Sequence, residues 1–426
     1  MNRPAVWFVG LVVAGAACGA MAQAPPPAPE EVARLKAELQ ALRQEYGDRL
    51  AALEARLQTL EGGAAPPPAA APAPQPEAAV PAGAAGSGGP AGALPVYGAG
   101  GSKVFNPDIA VIGDFLGAAG KSPGGGEPSL EMHEAEASFQ AIVDPYARAD
   151  FFFAFGPEGA EVEEGFLTFP TLPGGLLMKV GKMRTAFGKV DGMHNHVLPW
   201  TDRPLVSRNL LGGEEGLADA GISLSRLLPN PVLFLEATGE VYRGQSTVFT
   251  GSRRQDLTYV GHLRGYRDFS ESANIDLGGS IAYGPSDSEG AQAPGLDTRL
   301  IGVDATFRFR PLRRAIYRRF LARTELIWHR REWAPGLSAD AFGMYASADY
   351  QVARRWFAGA RYDWSERSED PGTADKGGSF LLTYWPSEFS QVRAQYRHTR
   401  LGEGTRANEL LFQFLFSIGA HGAHAF

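Results

Sequence analysis

Between residues 105 and 420 the chain alternates apolar and polar side chains in short runs. This is the two-residue period of a β-strand with one greasy and one wet face. The final run shows it plainly: Leu410, Phe412, Phe414, Phe416 and Ile418 occupy even positions, while Gln413, Ser417 and Gly419 fall on odd ones. Sixteen such segments are predicted, at 105–117, 129–143, 145–156, 161–169, 175–183, 218–228, 231–243, 255–267, 273–284, 297–309, 320–332, 339–351, 354–366, 377–386, 389–400 and 407–420. Each suits a tilted membrane crossing, and an even number allows the sheet to close. The expected fold is all-β: a transmembrane antiparallel β-barrel of about sixteen strands spanning 105–426.

The connections sharpen that expectation. Asp144-Pro145, Pro170 to Gly174, Pro229-Asn230, Asp268 to Ser272, Val352-Ala353 and Pro386-Ser387 are short. They alternate with longer polar stretches at 118–128, 184–217, 244–254, 285–296, 367–376 and 401–406. Short turns on one rim and long loops on the other form the asymmetry of an outer-membrane barrel. The basic stretch 310–319 is the long connection expected on the short-turn rim. Alternation then assigns faces. Ile301, Val303, Phe307, Trp328, Trp364 and Tyr396 point outward, while Asp304, Arg308, Arg323, Glu325, Arg361, Asp363, Arg393 and Arg397 point inward. A lipid-facing charge near mid-membrane costs about 2–4 kcal/mol, so these charges imply a wet interior.

Upstream the period changes. Val32, Leu35, Leu39, Leu42 and Tyr46 keep a 3-4-3-4 spacing, and Leu50, Leu53, Leu57 and Leu60 resume it after one stutter. The spacing predicts an N-terminal α-helical coiled coil over 30–61, because a lone helix of this length cannot bury its own stripe. A homotrimer through 30–61 is the expected assembly; a helix lying against the barrel's own periplasmic end is the alternative. Residues 62–98 are almost wholly Ala, Pro and Gly, a linker without chemistry. Residues 1–22 read as a signal peptide, with Arg3, an apolar run from Val6 to Ala17, and Ala20-Met21-Ala22 before the cleavage point.

Composition closes off several classes. The single cysteine, Cys18, lies in the signal peptide, so thiol chemistry and disulfides are excluded from the mature chain. A net charge of −7 argues against nucleic-acid binding. No mature segment offers the ~20 consecutive apolar residues of a membrane helix. Charged residues at 20% beside aromatics at 11% suit a polar lumen ringed by aromatic girdles.

The candidate chemistry sits in the third long loop, 184–217. Loops of that length are usually functional or folded inward. Its Arg184, Lys189, Asp191, Asp202, Arg203 and Arg208, with the inward wall charges named above, would set pore selectivity through a transverse field. A loop that shields the barrel mouth is the plainer reading. His194 and His196 are weak candidate metal ligands, since imidazoles spaced by one residue diverge unless the loop bends. Glu131, Glu134 and Glu136 read as lumen wall. No catalytic constellation and no cofactor motif stands out, so no enzyme activity is expected.

Phe105-Asn106-Pro107-Asp108-Ile109-Ala110-Val111-Ile112-Gly113-Asp114-Phe115 resembles the barrel start of phosphate-selective porin O/P-type proteins. Val180-Gly181-Lys182-Met183-Arg184-Thr185-Ala186-Phe187-Gly188 is similar to the motif that leads into that family's constriction loop. The terminal Gly419-Ala420-His421-Gly422-Ala423-His424-Ala425-Phe426 resembles an uncharacterised barrel group sometimes labelled TonB-dependent receptor, although no globular plug precedes this barrel. These resemblances imply an outer-membrane porin of a Gram-negative bacterium, embedded in outer-membrane lipid with the coiled coil in the periplasm. Acids interleave with the inward arginines, so phosphate selectivity is not implied. The expected function is passive diffusion of small hydrophilic solutes or ions. A metal-uptake receptor, or a barrel anchored to the cell wall through its coiled coil, are the alternatives.

Overall fold

In the computed structural model, residues 107–123, 128–157, 159–286 and 296–419 are described. The signal peptide, the coiled coil of 30–61, the linker of 62–98 and the terminal Phe426 lie outside them. The described chain forms sixteen strands: β1 (Asp108–Lys121), β2 (Leu130–Asp144), β3 (Ala147–Gly156), β4 (Gly159–Leu172), β5 (Leu176–Met183), β6 (Asp219–Leu227), β7 (Phe234–Tyr242) and β8 (Thr258–Ser270) make the first half. The second half is β9 (Ala273–Pro285), β10 (Asp297–Phe309), β11 (Phe320–Ala334), β12 (Leu337–Ala353), β13 (Trp356–Glu366), β14 (Ala374–Ser387), β15 (Ser390–Arg400) and β16 (Arg406–Gly419). Every strand pairs antiparallel with its sequence neighbours. The sheet closes where β1 meets β16, in a register running from Ala110 opposite Gly419 to Lys121 opposite Asn408. Closure satisfies the edge backbone groups that an open sheet would leave exposed to hydrocarbon.

Side chains obey the pleat. On β16, Leu410, Phe412, Phe414 and Phe416 are exposed on the outer surface, while Leu411, Gln413 and Leu415 are buried inside. Trp328, Phe342 and Trp364 form a row of outer aromatic contacts, with centroids 5.2 and 5.6 Å apart. Trp356 stacks on Tyr384 at 4.5 Å toward the opposite rim. Trp356 and Trp364 sit eight residues apart on one strand, about 26 Å along it at ~3.3 Å per residue. Tilt shortens that span toward the ~25 Å apolar band of a membrane barrel.

Of the eight register shifts among the described strands, six fall beside a hairpin turn and two lie within a strand pair. Between β1 and β2 the register steps from Asp114 opposite Glu134 to Phe115 opposite Met132, leaving His133 as an extra residue. Between β3 and β4 it steps from Phe152 opposite Glu164 to Phe153 opposite Val162, leaving Glu163 extra. These are β-bulges, and each lets neighbouring side chains share a face. Glu163 and Glu164, consecutive in sequence, are consequently both buried on the inside.

The core is also unusual in position, because it lies within the barrel. Phe187, Val190, Met193, Leu198, Trp200, Val206, Leu210, Leu211 and Leu217 all come from the connection between β5 and β6. They cluster with wall residues Val260, Ala282, Leu300, Ile327, Tyr345 and Leu381. The loop therefore folds inward and packs as a hydrophobic mini-domain.

Candidate functional site

The inward loop is shaped first by its own short contacts. Gly188 takes φ +61, and a Cβ there would strike the Glu325 carboxylate. That turn aims two backbone donors at the wall: Gly188 N–H donates to Ser280 Oγ at 2.9 Å and Lys189 N–H to Glu325 Oε1 at 3.0 Å. Asp191 ties the loop's two ends together, accepting from Thr185 Oγ1 at 2.8 Å and from Leu217 N–H at 3.1 Å. Arg203 is an internal strut that donates to Asn195 Oδ1, Val190 O and Met193 O at 3.0, 3.1 and 2.6 Å. Burial, with Arg184 nearby, lowers the Arg203 guanidinium pKa to about 10, still charged at neutral pH. A short helix, α1 (Leu205–Leu210), follows Pro204, whose carbonyl accepts from Ser207 and Arg208 N–H. Leu205 N–H at its start donates to Asp363 Oδ1 at 3.2 Å, an anion placed where the helix dipole favours one. Val206 fits because Gly343 opposite has no side chain; a Cβ there would lie 2.7 Å from Val206 Cγ2.

One flank of the loop meets an acidic wall formed by β2 and β4. His194 Nδ1 lies 2.7 Å from Glu136 Oε2 and 3.1 Å from Glu163 Oε2, and its Nε2 lies 2.8 Å from Glu164 Oε2. Burial opposes an imidazolium here, but the Glu136 and Glu163 carboxylates outweigh it and raise the His194 pKa well above the ordinary value. Arg184 Nη2 donates to Glu163, and its backbone N–H donates to Glu164 Oε1 at 2.6 Å. His196 Nδ1 stands 3.6 Å from Glu136 Oε2. Further round, Ala186 N–H donates to Glu240 Oε2 of β7 at 2.8 Å.

The other flank meets a basic wall formed by β13 and β15. Asp202 accepts from Arg361 Nη2 at 3.0 Å and from Arg397 Nη1 at 2.8 Å. Gln395 Nε2 donates to the same carboxylate at 2.5 Å, while Gln395 Oε1 accepts from Thr201 N–H at 3.0 Å. Burial raises the cost of charging Asp202, but Arg361 and Arg397 outweigh it and hold the carboxyl well below the usual range. Arg361 also lies over the Trp200 ring at 4.9 Å and donates to Asp363 at 2.7 Å, and Arg397 donates to Glu409 at 2.6 Å. Between the flanks, Lys189 Nζ donates to Asp276 Oδ2 at 3.2 Å, a carboxylate also held by Arg264.

Of the six loop charges singled out in the sequence, Arg184, Lys189 and Asp202 dock the loop to the wall, Asp191 and Arg203 brace the loop from within, and Arg208 is exposed. On the wall, Asp304 and Glu325 are buried inside; Arg308 stands 3.6 Å from Asp276 and Arg323 3.4 Å from Asp349. Arg393 Nη1 donates to Gln413 Oε1 at 2.6 Å, and Gln413 donates in turn to Asp114. Glu163, Glu164, Asp276, Asp349 and Gln395 were not among the sequence candidates. Glu163 and Glu164 escape strict alternation, because a two-residue period sends one of them outward unless a bulge intervenes.

No family model matches the chain. In-vitro folded OmpT, an outer membrane protein of Vibrio cholerae, is similar in fold, with a TM-score of 0.50 at 12% identity over 74% of this chain and 100% of that one. Its loop L8 deletion mutant gives a TM-score of 0.50 at 14% identity over 73% of this chain and 98% of that one. An uncharacterised protein of Aquifex aeolicus (strain VF5) is 30% identical over 387 residues, covering 76% of this chain and 81% of its own length. On that identity and coverage, the chain belongs to the family of the Aquifex aeolicus protein.

Proposed function

We propose that the protein is an outer-membrane diffusion channel for small hydrophilic solutes or ions, narrowed by the loop between β5 and β6. The observation that carries this reading is a closed barrel with apolar residues outside, charged residues inside and a long connection packed into the lumen. Carboxylates on β2, β4 and β7 face arginines on β10, β11, β13 and β15 across the interior. Opposed charge of this kind orders water across a constriction and sorts solutes by dipole and charge. Acids remain interleaved with the arginines, so the reading includes no phosphate selectivity. The heptad spacing of 30–61, which leads the sequence to be read as a coiled coil, makes a homotrimer the proposed assembly.

Planar-bilayer recording of the purified protein tests the proposal. Stepwise conductance is expected, with a several-fold increase after deletion of 189–210. Conductance unchanged by that deletion removes the constriction role. A second reading, a sealed barrel serving as an anchor, is favoured by the number of strands to which the loop hydrogen-bonds: β2, β4, β7, β9, β11, β13, β14 and β15. Absence of any conductance in the wild-type protein decides for it.

A further inference from the structure

The acidic flank of the loop holds more negative charge than docking alone requires. Glu136 belongs to two overlapping groups of ligand-bearing side chains, one with His194 and His196 and the other with Glu134 and Glu163. Within each group one ligand atom per residue lies within 4.8 Å of the others. A second observation is independent of that clustering. Glu134 is 8% exposed, and its Oε1 has no hydrogen-bond partner among the described residues. Its other oxygen receives only a long hydrogen bond from Asn195 Nδ2, at 3.4 Å. A buried carboxylate oxygen without a donor typically costs about 1–3 kcal/mol or more, so a native fold tends to give it a partner.

We propose that Glu134, Glu136 and Glu163 of the wall, with His194 and His196 of the loop, form a binding site for a divalent first-row transition cation of the zinc class. Two imidazoles beside carboxylates match zinc and its neighbours, whereas calcium and magnesium take oxygen ligands. Glu136 is the shared ligand of both groups. The site needs no large rearrangement. His194 Nδ1 already touches two of the carboxylates at 2.7 and 3.1 Å, and a tetrahedral ion ~2.0–2.2 Å from each ligand sets ligand atoms ~3.3–3.6 Å apart, so the contacts open by less than ~1 Å. The ligands come from both the wall and the loop, so the ion is complete only when the loop is docked. It acts as a fastener on the acidic flank. The proposal stands whether or not the lumen conducts.

Calorimetric titration of Zn²⁺ into the chelator-stripped, full-length protein in detergent tests it, with Co²⁺ absorption as the spectroscopic signature. One equivalent per chain is expected. Glu136→Gln is expected to weaken binding at least 100-fold and Glu134→Gln at least 10-fold, while His398→Ala, an exposed histidine on β15, leaves it unchanged. Zn²⁺ should also slow amide exchange across 189–198 in the wild type. Folding of each variant is checked by its heat-modifiable migration; if Glu136→Gln fails to fold, the milder Glu134→Gln decides. No stoichiometric binding, or binding that Glu134→Gln leaves intact, overturns the proposal.

Discussion

The two flanks of the inward loop are fixed to the barrel by opposite charge arrangements. On the β2–β4 side the loop brings cations, Arg184 and His194, to a wall of carboxylates. On the β13–β15 side it brings one anion, Asp202, to a pair of arginines. The basic flank is tightly matched: one carboxylate accepts from Arg361, Arg397 and Gln395, and both arginines have second acidic partners. The acidic flank is not, because Glu134 keeps an oxygen without a donor among the described residues. The matched flank reads as a permanent anchor. The mismatched one leaves a carboxylate oxygen for something to bind.

The largest effect is expected at the matched flank. Asp202→Ala leaves buried Arg361 and Arg397 with one acidic partner each, Asp363 and Glu409, and removing one partner of a buried pair costs up to about 3–5 kcal/mol. Hydrogen exchange of amides 200–210 should accelerate accordingly, and unchanged protection would refute the anchor. Acid supplies the same test without mutation. A carboxyl with a depressed folded pKa stabilises fully above its unfolded value, about 3.9, and loses that contribution as the pH falls through the lower folded value. Corrected exchange at 200–210 should therefore stay flat from neutrality to about pH 4 and rise only in stronger acid. A rise beginning near pH 6 would contradict Asp202 as the determining group.

Smaller effects belong to the other contacts. Glu163→Gln removes the charged partner of Arg184 while keeping its shape, with an expected local destabilisation of about 1–3 kcal/mol, read as faster exchange at 184–190. Gly188→Ala forces a side chain into φ +61 against Glu325 and should cost about 1–2 kcal/mol at the same amides. Arg208→Ala, at an exposed position, should stay within about 0.5 kcal/mol of wild type. If Arg208→Ala loosened the loop as much as Asp202→Ala, the distinction between anchoring and free charges would collapse.

The barrel itself was legible. Period-two alternation on β10 and β15 located those strands almost to the residue: the expected 297–309 matches Asp297–Phe309, and 389–400 matches Ser390–Arg400. Hydrophobic burial of one face leaves such a pattern because a one-residue slip reverses every side chain. The inward faces of Arg361, Asp363, Arg393 and Arg397 followed from the same rule. The loop's partners did not. Which wall carboxylate meets His194 depends on contacts between residues 30 to 58 positions apart, and no local pattern encodes them. Phe187, Trp200 and Leu210 resemble any loop apolar residues until the barrel encloses them. The acidic flank was hidden for a further reason: two bulges break the very period used to assign faces.

Those bulges make the flank separable from the fold in evolutionary terms. A relative lacking one residue at the position of Glu163 keeps its strand count and its closure. The flanking residues also keep their partners and faces, Val162 opposite Phe153 and Glu164 opposite Phe152, and only the Glu163 carboxylate leaves the interior. A single-codon insertion or deletion there is thus a discrete gain or loss of a chemical property, and it sorts homologous sequences into two groups before any of them is purified.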